Sequence, residues 1–463
     1  MPFAKPLNKL GLFKKNASSS GKLGTFLGVF TPTILTILGV IMYLRFGWVV
    51  GQVGLFKTIL IVLLANLITL LTSLSLSAIA TNSHVGVGGA YYMISRSLGL
   101  EIGGAIGFPL YFSQALSVTL YAFGLAESLK FVWPDVPISS AAFLIIVAVA
   151  ILSFRGASFA LRAQLPVMAL IAISLLALAS GAFTGPSLQS PAGTIAIDPV
   201  GFWVVFAVFF PAVTGIMAGL SMSGDLAEPR QAIPRGSVAA TLVGLLVYLA
   251  VPVLLFVGAD SASLADDPLI WTRIAMFGPW LVLPGLWGAI FSSAVGSMLG
   301  APRTLQALAL DRLGPRWLAG EIKPGTEPKA GMIVTLVISL LAVFLGDLNT
   351  VATVATMFFL SVYGTVNLVS ALEYLSGNPS WRPTLNIHWS LSLLGGIGCF
   401  GVMLLIHWPA TVFAMTVELA IWLFLKRRVR KDSWGDVWRD LYEALIRWAL
   451  VKLNARPMTA RNW

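Results

Sequence analysis

The sequence predicts an all-α membrane protein of twelve transmembrane helices, arranged as a five-plus-five inverted repeat with two extra helices at its end. Three observations predict it. Of 463 residues, 57% are hydrophobic and 11% are charged, whereas a soluble domain carries about 25% charged residues. Apolar runs of the length needed to cross a hydrocarbon core, about 20 residues, follow one another with little between them. Two of these runs, the first and the sixth, are interrupted by glycine and proline at matching places in the two halves.

The twelve runs are 24–49, 54–81, 99–129, 137–155, 163–183, 200–224, 236–258, 279–302, 330–346, 348–372, 389–407 and 409–426. They divide the chain into an N-tail (1–23), a transmembrane domain (24–426) and an amphipathic C-tail (427–463). Within the transmembrane domain the repeats cover about 24–183 and 200–372, and 389–426 forms the extra pair. The first run is too long for the apolar stretch of a signal peptide and lacks a small-residue cleavage site.

The net charge of +11 raises the question of nucleic acid, and the distribution answers it. Of the 30 lysines and arginines, 26 fall in the two tails and in alternate loops, while Lys57, Lys130 and Arg273 fall in the others and Arg45 lies within the first run. This is the positive-inside pattern. It predicts a multi-pass protein of the cell membrane with both termini cytoplasmic, its partner a lipid bilayer and not nucleic acid. Cys399 is the lone cysteine, so neither an internal disulfide nor a cysteine metal cluster is available. No P-loop, dinucleotide fingerprint, HExxH or GxSxG is present, and no cofactor or transition metal is expected. The chain does not read as an enzyme.

The first run holds Gly28, Pro32, Thr36 and Gly39; the sixth holds Pro211, Thr214, Gly215 and Gly219. Both residue types weaken a helical ladder, and non-helical backbone at membrane depth persists where it is buried or lines a cavity. Any one of these glycines is explained by close helix packing. A matched pair of breaks in two halves points instead to a binding site at the repeat interface.

A broken helix frees N–H groups at the start of one half, which attract anions, and carbonyls at the end of the other, which attract cations. Gly39, Val40 and Ile41, and Gly215, Ile216 and Met217, are the candidate N–H donors. The carbonyls of Thr36, Ile37 and Pro211, with the Thr214 hydroxyl, are the candidate cation ligands. Neither break holds an acidic residue, which favours inorganic ions of offsetting charge over an amine held by a carboxylate. Arg45 needs a partner, and Glu127, at the outer end of the third run, is at a similar depth; the pair is expected to shape the outer mouth. Ser292 and Ser293 in the eighth run are adjacent hydroxyls suited to sodium, or serines bonded back to their own helix. Tyr121 and Tyr363 are buried hydroxyls that require partners. The tail 433–453 has Trp434, Trp438, Leu441, Leu445, Trp448 and Lys452 on one helical face, for the inner membrane surface or a second subunit.

At these residues the sequence resembles the cation–chloride cotransporters of the amino acid–polyamine–organocation superfamily, whose fold is LeuT-like. The resemblance runs over about 22–463. It is carried by ILGVIMYLR (37–45), VGGAYYMISRSLG (87–99), YAFGLAE (121–127), FFPAVTGIMAG (209–219) with SGDLAEP after it, APRTLQALALDRLG (301–314) and NPSWRPT (378–384). It implies a potassium site at Thr36, Ile37, Tyr121, Pro211 and Thr214. It implies an upper chloride site on the backbone of Gly39, Val40 and Ile41, and a lower one at Gly215, Ile216 and Met217 with the Tyr363 hydroxyl. A sodium site would use carbonyls of Leu35, Leu38 and Ala289 with Ser292 and Ser293. The family pairs an arginine and a glutamate at the positions of Arg45 and Glu127. Thr36 stands where the family commonly has Asn, and Leu38 where it often has Trp. The adjacent serines resemble the sodium-coupled branch. Animal members continue into a large cytoplasmic domain near the point where this sequence reaches Trp463, and the family joins a dimer through this tail region; a homodimer through the C-tail and helices eleven and twelve follows from the resemblance.

The expected function is symport of chloride with sodium and potassium by alternating access. The competing readings are potassium–chloride symport without sodium, an amino acid or polyamine permease on the same scaffold, a passive channel, and a regulatory subunit that transports nothing.

Overall fold

The computed structural model of the chain describes residues 23–82, 88–155, 158–185, 200–221, 223–320, 327–376, 381–428 and 437–454. The expected N-tail, apart from Leu23, lies outside the described residues, as do 429–436 and 455–463 of the C-tail. Among the described residues the fold is helical, and the only β feature is an isolated bridge between Leu23 and Leu226.

A π-helical turn, Phe26–Phe30, leads into α1 (Thr31–Ile37). Pro32 falls in the first turn of α1, where the π-helical turn passes into α-helix, and it offers no N–H to the preceding turn. The helix stops at Leu38 and resumes as α2 (Val40–Asn82), which turns once more at Gly54, whose φ of 75° suits a residue without a Cβ. A short α3 (Gly89–Leu98), a long α4 (Leu100–Ser128), α5 (Ile138–Ser153) and α6 (Ser158–Thr184) complete the first half.

The second half follows the same order. It begins with α7 (Phe202–Phe209), a 3-10 turn (Phe210–Val213) and α8 (Ile216–Ser221), a second interrupted helix. The long α9 (Pro229–Gly258) follows. Two short helices, α10 (Ser261–Asp266) and α11 (Ile270–Ile274), stand where α3 stood. Then come α12 (Gly278–Leu310), α13 (Lys329–Ala342) and α14 (Leu348–Ser376). The extra element α15 (Trp389–Arg428) leaves helical geometry at His407. It is followed by the amphipathic α16 (Val437–Asn454), on which Leu445 and Trp448 are exposed.

Among the described residues, eight helices are long and apolar enough to cross a bilayer. Two of them, 26–82 and 389–427, each contain two of the apolar runs read from the sequence, and the shorter apolar helices 138–153 and 329–345 contain two more. All twelve runs therefore fall on helices.

The first break is tight. Gly39 N–H donates to Ile37 O at 2.8 Å, and a Cβ on Gly39 would stand 2.8 Å from Thr36 O. The second break lies directly against the first. A Cβ on Gly215 would stand 2.7 Å from Thr33 O and 3.0 Å from Ile37 N. Close backbone approach requires glycine here, and it brings two segments far apart in sequence into one centre. Around them pack α4, α9, α12 and α14.

Gly215→Ala is therefore expected to force α1 and α8 apart, at a cost of about 1–3 kcal/mol. Gly398→Ala on α15, where a Cβ meets nothing within 4 Å, serves as the neutral control. Thermal unfolding midpoints of the two detergent-purified variants check this, and equal midpoints would refute the contact.

Candidate functional site

Between the breaks lies a small cavity of about 30 Å³, lined by Thr36, Tyr121 and Thr214 together with Gln114, Ser117 and Met217 among others. The hydroxyls of Thr36 and Thr214 both donate back to their own chain, to Pro32 O and Pro211 O, each at 2.8 Å. Their protons are used, so their remaining lone pairs can accept from a cation. Tyr121 is buried with its hydroxyl beside that of Ser293. Three oxygens expected at a potassium site thus border one cavity, and no carboxylate lines it.

Two expected cation ligands are engaged elsewhere. Ile37 O accepts both Gly39 N–H and the Tyr248 hydroxyl. Pro211 O accepts from both the backbone and the side chain of Thr214. Tyr248, on α9, also donates toward Ala212 O at 3.3 Å, so one phenol spans both breaks.

Val40 and Ile41 open α2, and their N–H groups have no acceptor in their own helix. Gly39 N–H is bonded to Ile37 O. At the second break Met217 N–H reaches Thr214 O at 3.4 Å, and α8 is only six residues long. Tyr363 donates to Thr214 O at 3.0 Å. The anion-binding capacity of the upper break is therefore the better supported, because a long helix starts there.

Ser293 reaches Leu35 O at 3.5 Å, bringing α12 against the end of α1. Ala289 is buried one turn before Ser293 on α12, Ser292 is half-buried, and Leu38 caps α1.

Arg45 and Glu127 form a two-pronged pair, both bonds at 2.8 Å, and Arg45 is 7% exposed. Arg45 Nε also donates to Asn349 Oδ1 on α14. Asp347 accepts from Asn349 and Thr350 and so shapes the start of that helix. Partial burial pushes the Asp347 carboxyl up, but the hydrogen bonds from Thr350 and Asn349 and the Arg45 charge outweigh it and hold the group below its ordinary value. Above the pair opens a cavity of about 340 Å³ lined by Trp48, Lys130 and Asp267 among others. It shares no lining residue with the central cavity.

At the opposite end Arg303 on α12 binds Glu327 at 2.9 Å and Asp225, just past α8, at 3.1 Å. Asp225 O also accepts from Leu23 N–H, and Ala227 N–H donates to Leu23 O. The segment leading into the first broken helix is thereby tied to the segment leaving the second. Tyr248, Asn349, the Arg303 cluster and Glu418, which accepts from Ser361, were not singled out in the sequence. A lone tyrosine or acid inside an apolar run is the only local signal they carry.

The family model described as amino acid permease matches residues 28–463. Cation-chloride cotransporter 1 of Oryza sativa subsp. japonica is 30% identical over 96% of this chain and 51% of its own length. Solute carrier family 12 member 2 of Homo sapiens is 31% identical over 91% of this chain and 40% of its own. The chain thus spans about half or less of these curated relatives. A crystal structure of an Eremococcus coleocola manganese transporter, bound to an aromatic bis-isothiourea substituted compound, superposes with a TM-score of 0.54 at 14% identity. It covers 91% of this chain and 94% of that one, and shares the fold.

Removing Glu127 leaves the buried Arg45 charge without its carboxylate. Glu127→Ala is expected to destabilise by about 3–5 kcal/mol. The double variant Arg45→Met/Glu127→Met is expected to recover most of that loss. A double-mutant cycle on thermal unfolding checks it, and additive losses would refute the coupling.

Proposed function

The chain belongs to the amino acid permease family, and within it we propose a secondary symporter that couples chloride to potassium and sodium by alternating access. The observation that carries this reading is the size and chemistry of the central cavity. A single water needs about 10–15 Å³, so a cavity of about 30 Å³ holds one or two particles of that size. That suits an inorganic ion and not an amino acid. Its lining offers hydroxyl oxygens at Thr36, Tyr121 and Thr214 for a potassium ion, and Ile37 and Pro211 are assigned to the same site.

Chloride is placed against the first turn of α2, at Gly39, Val40 and Ile41, where helix-start N–H groups and the positive dipole end favour an anion. A second chloride is assigned to Gly215, Ile216 and Met217 beneath Tyr363. Sodium is assigned to the carbonyls of Leu35, Leu38 and Ala289 with the hydroxyls of Ser292 and Ser293. Hard cations take oxygen ligands, and the bound charges offset one another inside the bilayer. Arg45 with Glu127 closes the outer mouth, and both termini are cytoplasmic. The exposed apolar residues of α16 are placed against the membrane surface or a second copy of the chain, which would also use α15.

Proteoliposomes are expected to take up rubidium-86 and chloride-36 only when sodium is supplied as well. Chloride-dependent rubidium uptake that ignores sodium would replace this reading with potassium–chloride symport. Amino acid or polyamine uptake with no rubidium flux would replace it with a permease. Ser292→Ala, which keeps the Ser293–Tyr121 contact in place, is expected to raise the sodium half-saturation at least tenfold and to leave that of rubidium nearly unchanged.

A further inference from the structure

Gln164, on α6, is 5% exposed, and its Oε1 is buried without a hydrogen-bond partner among the described residues. An unpaired amide oxygen in an apolar bundle is costly and calls for an explanation. Its position supplies one. The buried residues of α6 form a stripe through Gln164, Val167, Ile171, Ser174 and Leu178, the three-and-four spacing of one helical face. That face looks at α12. A Cβ on Gly288 would meet the Val167 side chain, and a Cβ on Gly285 would meet Leu170 O and Ser174 Oγ. As the numbers rise on α12 they fall on α6, so the two helices run antiparallel. Carried one turn further, this register sets Gln164 level with Phe291, immediately before Ser292 and Ser293. α1 touches both α6 and α12, and Ser293 reaches Leu35 O at 3.5 Å while its hydroxyl also pairs with that of Tyr121.

We infer that Gln164 supplies a side-chain oxygen to the sodium site formed by Leu35, Ser292 and Ser293, an inference that rests on the sodium assignment above. The ligand chemistry fits. An amide carbonyl is a hard, neutral oxygen that adds a ligand without changing the charge balance of the site. It comes from a third helix, so sodium would clamp α6 onto the α1–α12 junction. A purely structural glutamine predicts otherwise, because replacing an unpaired polar group by an apolar one of similar size is neutral or stabilising and leaves ion titrations alone.

The experiment uses the full chain in proteoliposomes and in detergent. Sodium is titrated at constant chloride, with choline as replacement, and read both as rubidium-86 uptake and as a shift in thermal unfolding midpoint. Gln164→Leu is expected to raise the sodium half-saturation at least tenfold in both readouts, with rubidium and chloride half-saturation unchanged. Gln164→Glu, of nearly the same shape, is expected to lower it at pH 8 and decides the matter if the leucine variant does not fold. If Ser293→Ala shifts the sodium titration while both Gln164 variants match wild type, this inference is overturned and the sodium site stands. If wild type shows no sodium response in either readout, the site and the inference fall together.

Discussion

Hydrocarbon offers no hydrogen-bond partner, so every backbone group released by a break in a membrane helix must be satisfied by the protein itself or by what the protein binds. The architecture follows from that constraint. Two helices are interrupted, and the interruptions are pressed against each other at Gly215 and Ile37. Tyr248 reaches across from α9 to carbonyls of both, and Tyr363 reaches from α14 to Thr214 O. The protein thus answers many of its own freed groups. What it leaves open is hydroxyl oxygens at Thr36, Tyr121 and Thr214 around one small cavity, and helix-start N–H groups at Val40 and Ile41.

Charge is kept away from this centre and concentrated at its two ends. Arg45 is held by Glu127 and Asn349 on one side of the bundle, and Arg303 by Asp225 and Glu327 on the other. Each cluster joins elements from different parts of the repeat: α2 to α4 and α14 at one end, the exit of α8 to α12 and the approach to α13 at the other. Buried ion pairs of this kind contribute little net stability compared with apolar packing, but breaking one is expensive. They therefore suit positions where two arrangements must be kept distinct. A centre lined by no carboxylate, between two charged clusters, agrees with the proposed cargo of cations and anions together, since such a site need not hold an uncompensated charge.

Much of this was legible in the residues. The twelve apolar runs all fall on helices, the interruptions at Gly39 and Gly215 lie where glycine, proline and threonine placed them, and Arg45 meets Glu127. Those features are written locally or by depth. Apolar length records the thickness of the solvent, a missing Cβ or N–H records a local backbone need, and an isolated charge records the need for a partner at the same level. Composition and periodicity therefore determined the helical membrane architecture, the position of its breaks and the residue types that border them. Which oxygens remain open was decided by packing between helices remote in sequence. Ile37 O is occupied because Tyr248, 211 residues away, folds against it. Asn349 joins Arg45 from 304 residues away, and Val167 meets Gly288 through the register of α6 on α12. No local pattern encodes such meetings, because a hydrogen bond across a bundle depends on the rotation and depth of each helix, and these are set by the simultaneous packing of all their neighbours.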